Sequence, residues 1–335
     1  MARRRSKAIQ GGDLLREYET YDQHVDVVSI LHWVFSDSLE LPSTVRHFER
    51  FPSIRADNKN LTPDFTVLFH DGAAIIGEVA SLALHKNSVD KLLSQLANYA
   101  TVTSVPASGK TSTTVSDPDV LLFVPNSRGL TAIKRIHECI ADPDHEYHPS
   151  KPPVIAQYAK GDSEYTLQRL PDPKNGTLTA GDREQHLGAF LDSDFTAKAE
   201  HFTSNKVAYR FINDTPATLY LATHLVIQTL PTQYFLSGDQ VDVKPADLAD
   251  IIRTQYGGGI RSDHVRQALD LLQHAGYALD IGDGTWAVSL KPLRSRTESD
   301  VHRIIVEKAM KRSKSVIVPR PRPAELADQG ALFDL

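Results

Sequence analysis

Hydrophobic residues fill 41% of the 335 positions and charged residues 24%, enough apolar material for a real core and for two domains. The net charge of −5 excludes a broadly basic nucleic-acid coat, and the single cysteine, Cys139, excludes an internal disulfide or a thiolate zinc centre. No apolar run approaches the roughly 20 residues that span a bilayer, and the N-terminal arginines lead into no signal-peptide stretch, so a reducing cytoplasm is the expected setting with no membrane partner.

Residues 1–12, with Arg3, Arg4, Arg5 and Lys7, read as a basic, disordered start. Leu14, Leu15, Tyr18, Val25, Val28, Ile30, Leu31 and Val34 then recur at helical spacing, so 13–35 reads as a long helix with a break near Tyr21. A short strand is expected at 45–54. Residues 65–69 are rich in β formers and run into Asp71-Gly72, a hairpin signal, with 73–80 as the returning strand. Ser88 can cap the next helix, where Val89, Leu92, Leu93, Leu96 and Ala100 form one buried stripe. Residues 104–119 read as a polar loop, 120–124 as a buried strand, 130–140 as a helix and 154–159 as a strand. Helix, three strands, helix, strand, helix, strand describes an α/β domain with a mixed sheet, placed at 13–205. Its last part, 161–200, mixes strand and loop text around Pro171-Asp172-Pro173-Lys174-Asn175-Gly176.

Beyond that domain the text turns helical at 217–230, at 245–256 with Pro245 in the first turn, and at 261–275 after Gly257-Gly258-Gly259. Two short strands, 277–281 and 285–290, flank Gly282-Asp283-Gly284. This is the order of a winged helix-turn-helix, assigned to 206–295. A helix at 296–315 and a flexible tail at 316–335 complete the chain, with Lys308, Lys311, Arg312, Lys314, Arg320 and Arg322 as a second basic stretch.

Two carboxylates stand out because they sit in segments otherwise built for burial. Asp64 opens the first apolar run of the hairpin and Glu78 nearly closes the second. If His70-Asp71-Gly72 is a three-residue loop, Asp64 lies opposite Glu78 with Cβ atoms about 5 Å apart; a two-residue loop sends them to opposite faces. Two facing acids repel unless a cation lies between them, and magnesium is the natural hard occupant. Gly77, beside Glu78, reads as a place where a ligand or backbone comes close.

Pro63-Asp64, a gap, then Glu78-Val79-Ala80 resembles the PD-(D/E)XK motif of restriction-endonuclease-like nucleases, and the αβββαβ order is similar to that superfamily's core. "KLLSQLANYA" resembles its Gln-x-x-x-Tyr element, here Gln95 and Tyr99. The resemblance covers residues 13–160. It implies a Mg2+- or Mn2+-dependent nuclease acting on DNA, in repair or anti-phage defence, in which Asp64, Glu78 and the backbone carbonyl of Val79 hold the metal, helped by Glu17 or Glu19. Ala80 departs from the pattern, which expects lysine there. Lys91, spaced by four from Gln95 and Tyr99 on one helical ridge, is the first substitute, and Lys86 the second. The competing expectation is a catalytically silent DNA-binding adaptor of the same fold.

In the winged helix, Arg261, Ser262, His264, Arg266 and Gln267 are the side chains expected to reach DNA. Asp263, Asp270, Asp280 and Asp283 oppose phosphates, which keeps open a role docking a protein such as an ATPase or helicase. Gln329-Gly330-Ala331-Leu332-Phe333 resembles the Gln-x-x-Leu-Phe peptide that docks on the bacterial sliding clamp, with Leu332 and Phe333 as anchors. Homodimerisation is a further expectation of the nuclease likeness. Ser108-Gly109-Lys110-Thr111 is no phosphate loop, since Ser104 stands where the leading glycine belongs, and His137, Asp142, Asp144, His145 and His148 read as a solvated loop.

Overall fold

A computed structural model of the chain describes residues 11–36, 44–56, 59–80, 86–179, 187–233, 240–290 and 296–315. These fall into two compact units. A sheet unit comprises residues 20–215 and 252–260, and a helical unit comprises the described parts of 11–19, 216–251 and 261–315.

The sheet unit begins in α1 (Gly11–Ser36), whose residues from Thr20 onward belong to it. The helix runs through Tyr21 without the expected break. The Tyr21 ring is buried and its hydroxyl accepts the Ile212 N–H at 3.1 Å, so packing holds the backbone in register. β1 (Val45–Arg50) ends at Phe51, whose φ is +50°, and β2 (Ile54–Ala56) pairs with β3 (Lys59–Leu61) as a separate ribbon. β4 (Phe65–Phe69) and β5 (Ala74–Val79) form the hairpin, and α2 (Lys86–Tyr99) follows.

The stretch expected as a polar loop forms a second ribbon, β6 (Ser104–Ala107) with β7 (Thr111–Thr114). Val105 and Ala107 point alternately inward and are buried, and this outweighs the polarity of the turn Ser108–Lys110 between them. The main sheet resumes with β8 (Asp119–Pro125), followed by α3 (Gly129–Ala141) and β9 (Val154–Lys160). β10 (Glu164–Arg169), α4 (Ala189–Asp192), β11 (Phe195–Lys198) and α5 (Ala199–Ala208) are the elements of the described parts of the ambiguous 161–200 stretch and its continuation.

The result is a mixed seven-stranded sheet in the order β1-β4-β5-β8-β9-β10-β11. β5, β8 and β9 are mutually parallel, and the outer pairs are antiparallel. One face packs Val27, Ile30, Leu31 and Val34 of α1 against Phe65, Val67, Ile75 and Phe123. The other packs Leu93 and Leu96 of α2 and Ile133 and Ile136 of α3 against Leu68, Ile76, Leu122 and Ile155. The sheet is therefore α/β with helices on both faces, and strand alternation decides which side chains meet which layer.

The helical unit runs through α6 (Thr218–His224), a π turn (Leu225–Thr229) and α7 (Leu230–Gln233), then β12 (Gln240–Val243), α8 (Pro245–Tyr256), which extends into residues of the sheet unit, and α9 (Ser262–Ala275). Pro231 has no N–H to return to the preceding turn, which accounts for the wider turn before it. β13 (Ala278–Gly282) and β14 (Thr285–Ser289) form a hairpin that β12 joins, in the order β12-β14-β13, before α10 (Glu298–Ser315) closes the described chain. No helix among the described residues is long and apolar enough to cross a membrane.

Candidate metal centre

The hairpin adopts the three-residue loop. Phe65 pairs with Gly77, Thr66 with Ile76, Val67 with Ile75 and Leu68 with Ala74. The Phe69 N–H donates to Ala73 O at 2.9 Å, and the Gly72 N–H returns to Phe69 O at 3.1 Å. Gly72 has φ +86°, the left-handed conformation that this loop requires of its third residue. One step further along the same register, Asp64 stands across from Glu78. Gly77 serves a different purpose from the one its position suggested: a Cβ there would collide with the Phe65 ring, so the glycine makes room for a core side chain and not for a ligand.

Each carboxylate is held by a different layer. Asp64 is 9% exposed; its Oδ2 accepts the Val79 N–H at 2.7 Å and the His24 Nε2–H at 3.1 Å. Burial alone would lower the pKa of His24, but the Asp64 carboxylate outweighs it and holds the imidazole above its ordinary value. Glu78 turns toward α2, where Gln95 Nε2 donates to Oε1 at 2.9 Å and the Tyr99 hydroxyl to Oε2 at 2.7 Å. Gln95 also donates to the Tyr99 oxygen at 2.6 Å, linking the two donors. Burial first, and the Asp64 charge second, push the Glu78 carboxyl well above the usual range. The charge of Asp214 acts in the same direction on both Glu78 and His24. Burial and the nearby Asp64 also raise the Tyr158 phenol to about 12. Among the described residues, no lysine or arginine contacts either acid.

Several sequence expectations fall elsewhere. The Val79 amide N–H donates to Asp64 Oδ2, while the group expected to bind metal is the Val79 carbonyl. The α1 residue that reaches Asp64 is His24; Glu17 and Glu19 are exposed and group with the helical unit. Ala80 is half-buried against the apolar layer of α2 and α3. Lys91 is exposed one turn before Gln95 and makes no hydrogen bond or ion pair among the described residues, while the Lys86 side chain lies outside them. On α9, Ser262, Arg266 and Gln267 are exposed, but His264 is buried, with Nδ1 accepting the Arg261 N–H at 3.4 Å. Arg261 is clasped by Asp263 through two contacts of 3.0 Å, which draw the Asp263 carboxyl down to about 2. Gln329, Leu332 and Phe333 lie outside the described residues.

His24 was not among the residues read from α1, and Asp214 gave no signal at all. A second acidic pair also escaped notice. Asp22 and Asp26 lie one turn apart on α1; Lys206 Nζ sits 2.8 Å from Asp22 and 2.5 Å from Asp26, and the Tyr165 hydroxyl donates to Asp26 at 2.7 Å.

Among the described residues no group of three or more His, Cys, Asp or Glu side chains is arranged to hold a metal. The pair alone still has capacity. A carboxylate offers about four lone-pair sites; among the described residues Glu78 spends one on each oxygen, and Asp64 Oδ1 accepts no hydrogen bond. The residues thus fit a hard cation whose other ligands are water or substrate oxygens, as magnesium commonly takes. No family model, curated protein or solved structure matches the chain.

Proposed function

We propose that this chain is a metal-dependent nuclease that hydrolyses phosphodiester bonds in DNA, with a restriction-endonuclease-like sheet unit and a winged-helix unit. The observation that carries the reading is the placement of Asp64 across the hairpin from Glu78, with Gln95 and Tyr99 both bonded to Glu78. The order α1, β1, β4, β5, α2, β8 supports it, since this is the αβββαβ succession that the resemblance implies. β12 pairing with β14 beside the β13–β14 hairpin supports the winged helix in the same way.

Asp64 and Glu78 would hold magnesium or manganese, which when bound supplies polarisation of a phosphoryl oxygen and a lowered pKa for an attacking water. The chain's own residues set the geometry. His24 and the Val79 amide fix Asp64, while Gln95 and Tyr99 fix Glu78 from the opposite layer. Lys91, on the ridge of Gln95 and Tyr99, stands where it can steady a phosphate, with Lys86 as the alternative. The exposed Ser262, Arg266 and Gln267 face serves DNA, and Gln329, Leu332 and Phe333 serve a sliding clamp.

Nicking of supercoiled plasmid with magnesium or manganese tests the reading. Wild-type protein should cut, Asp64→Ala should not, and Lys91→Ala or Lys86→Ala should abolish cutting without loss of fold. Calorimetric manganese binding, lost in Asp64→Ala, reads the cation independently of cleavage. Ala80 and the exposure of Lys91 favour one second reading, a nuclease-fold module that binds DNA without cutting it. DNA binding with no nicking under either metal would select it.

A further inference from the structure

Leu279 and Ile281 are the large apolar side chains left open on the described helical unit, at 59% and 50% exposure. Two residues apart on β13, they flank Asp280 where the pairing with β14 slips by one residue between Asp280 and Gly282, so strict alternation does not hold and the three exposed side chains form one neighbourhood. β13 is the edge of its three-stranded sheet, but its backbone is guarded. The Asp280 N–H donates to Gln273 Oε1 at 3.3 Å and the Gly282 N–H to Asp280 Oδ1 at 3.0 Å. Strand addition at these amides is therefore blocked, and what remains open is the side-chain face.

The charges around that face choose its occupant. Asp280 and Asp283 are exposed on the hairpin, and Asp270 of α9 feels the charge of Asp280. Phosphates are disfavoured there, and a second copy of the same acidic face is disfavoured too. An apolar segment bordered by positive charge fits. The path of α10 brings such a segment near: Lys308 Nζ lies 4.6 Å from the centre of the Tyr277 ring, and the Arg312 guanidinium packs over Gly276. The last described turns of α10 thus run beside the residues that enter β13. The sequence next reads Val316-Ile317-Val318-Pro319-Arg320-Pro321-Arg322, three β-branched residues followed by two arginines, outside the described residues.

We propose that the Leu279–Ile281 face of β13 is a docking surface for residues 316–322 of this chain. The apolar triplet covers the two exposed anchors, and Arg320 and Arg322 meet Asp280 and Asp283. The proposal is independent of the nuclease reading.

The test uses the full-length chain and a fluorescent synthetic peptide of residues 314–323, followed by anisotropy. Replacing Val316, Ile317 and Val318 by serine in the protein should free the face, so that this variant binds the peptide about ten-fold more tightly than wild type does. Adding Leu279→Ser and Ile281→Ser should remove that binding. Both side chains are exposed, and unchanged thermal melting confirms that the fold survives. Equal affinity of wild type and the triple-serine chain, absence of binding by the latter, or binding indifferent to Leu279→Ser and Ile281→Ser would each overturn the proposal.

Discussion

Two acidic pairs of the sheet unit are touched by α1 among the described residues, and they are compensated in opposite ways. Asp22 and Asp26 share Lys206, and Lys160 stands at 3.8 and 3.6 Å from them, so two positive charges answer two negative ones. Among the described residues, Asp64 and Glu78 have only the His24 imidazole and neutral donors. Burial is common to both pairs and does not distinguish them. What separates a structural pair from a candidate site is unbalanced charge held in place by well-made hydrogen bonds.

The most damaging way to break this comparison is to remove the nearer of the compensated pair's two cations. Lys206→Ala should cost about 4 kcal/mol, because it leaves only the more distant Lys160 to answer two carboxylates. That corresponds to a melting temperature lower by about 10 °C, measured by scanning calorimetry. A shift within error would show that Lys206 does not hold α5 against α1. His24→Ala removes one charge-assisted hydrogen bond from Asp64 and should cost about 2 kcal/mol by urea denaturation. An equal or larger loss than for Lys206→Ala would mean that the candidate site is the better compensated of the two.

Glu78→Gln should work in the opposite direction. Burial and Asp64 raise the Glu78 carboxyl in the folded chain above its unfolded value, so folding favours the protonated form. That stabilisation is complete below the unfolded pKa and is lost as pH rises through the folded one. The variant, which never ionises, should therefore melt higher than wild type at about pH 8, and the gap should close toward about pH 4. Magnesium should narrow the gap at the higher pH by stabilising wild type alone. The smallest effect is expected outside both pairs. Arg261→Ala breaks an exposed contact with Asp263 and should leave the melting temperature unchanged within error, checked by the same calorimetry.

Much of the hairpin was legible because its code is local. Alternating apolar residues, Asp71-Gly72 and the distance from Asp64 to Glu78 set up a register that either joins or separates the two acids, and only the loop length had to be decided. The ridge of Gln95 and Tyr99 was legible for the same reason, since residues four apart share a helix face. The β6–β7 ribbon was missed because its polar turn masks a short inward alternation of Val105 and Ala107. His264 was misplaced as a reaching side chain because its spacing alone does not show that it packs inward beside Val265 and Ala268.

By itself the sequence determined the α2 and α3 helices, the β4–β5 hairpin with its apolar runs, and which acids sit at the ends of that hairpin, because each of these follows from spacing within a few residues. The tertiary structure alone decided that His24, 40 positions away from Asp64, becomes its partner, and that Lys206 neutralises Asp22 and Asp26. Charge compensation is made through space between elements distant along the chain, and no local pattern specifies it.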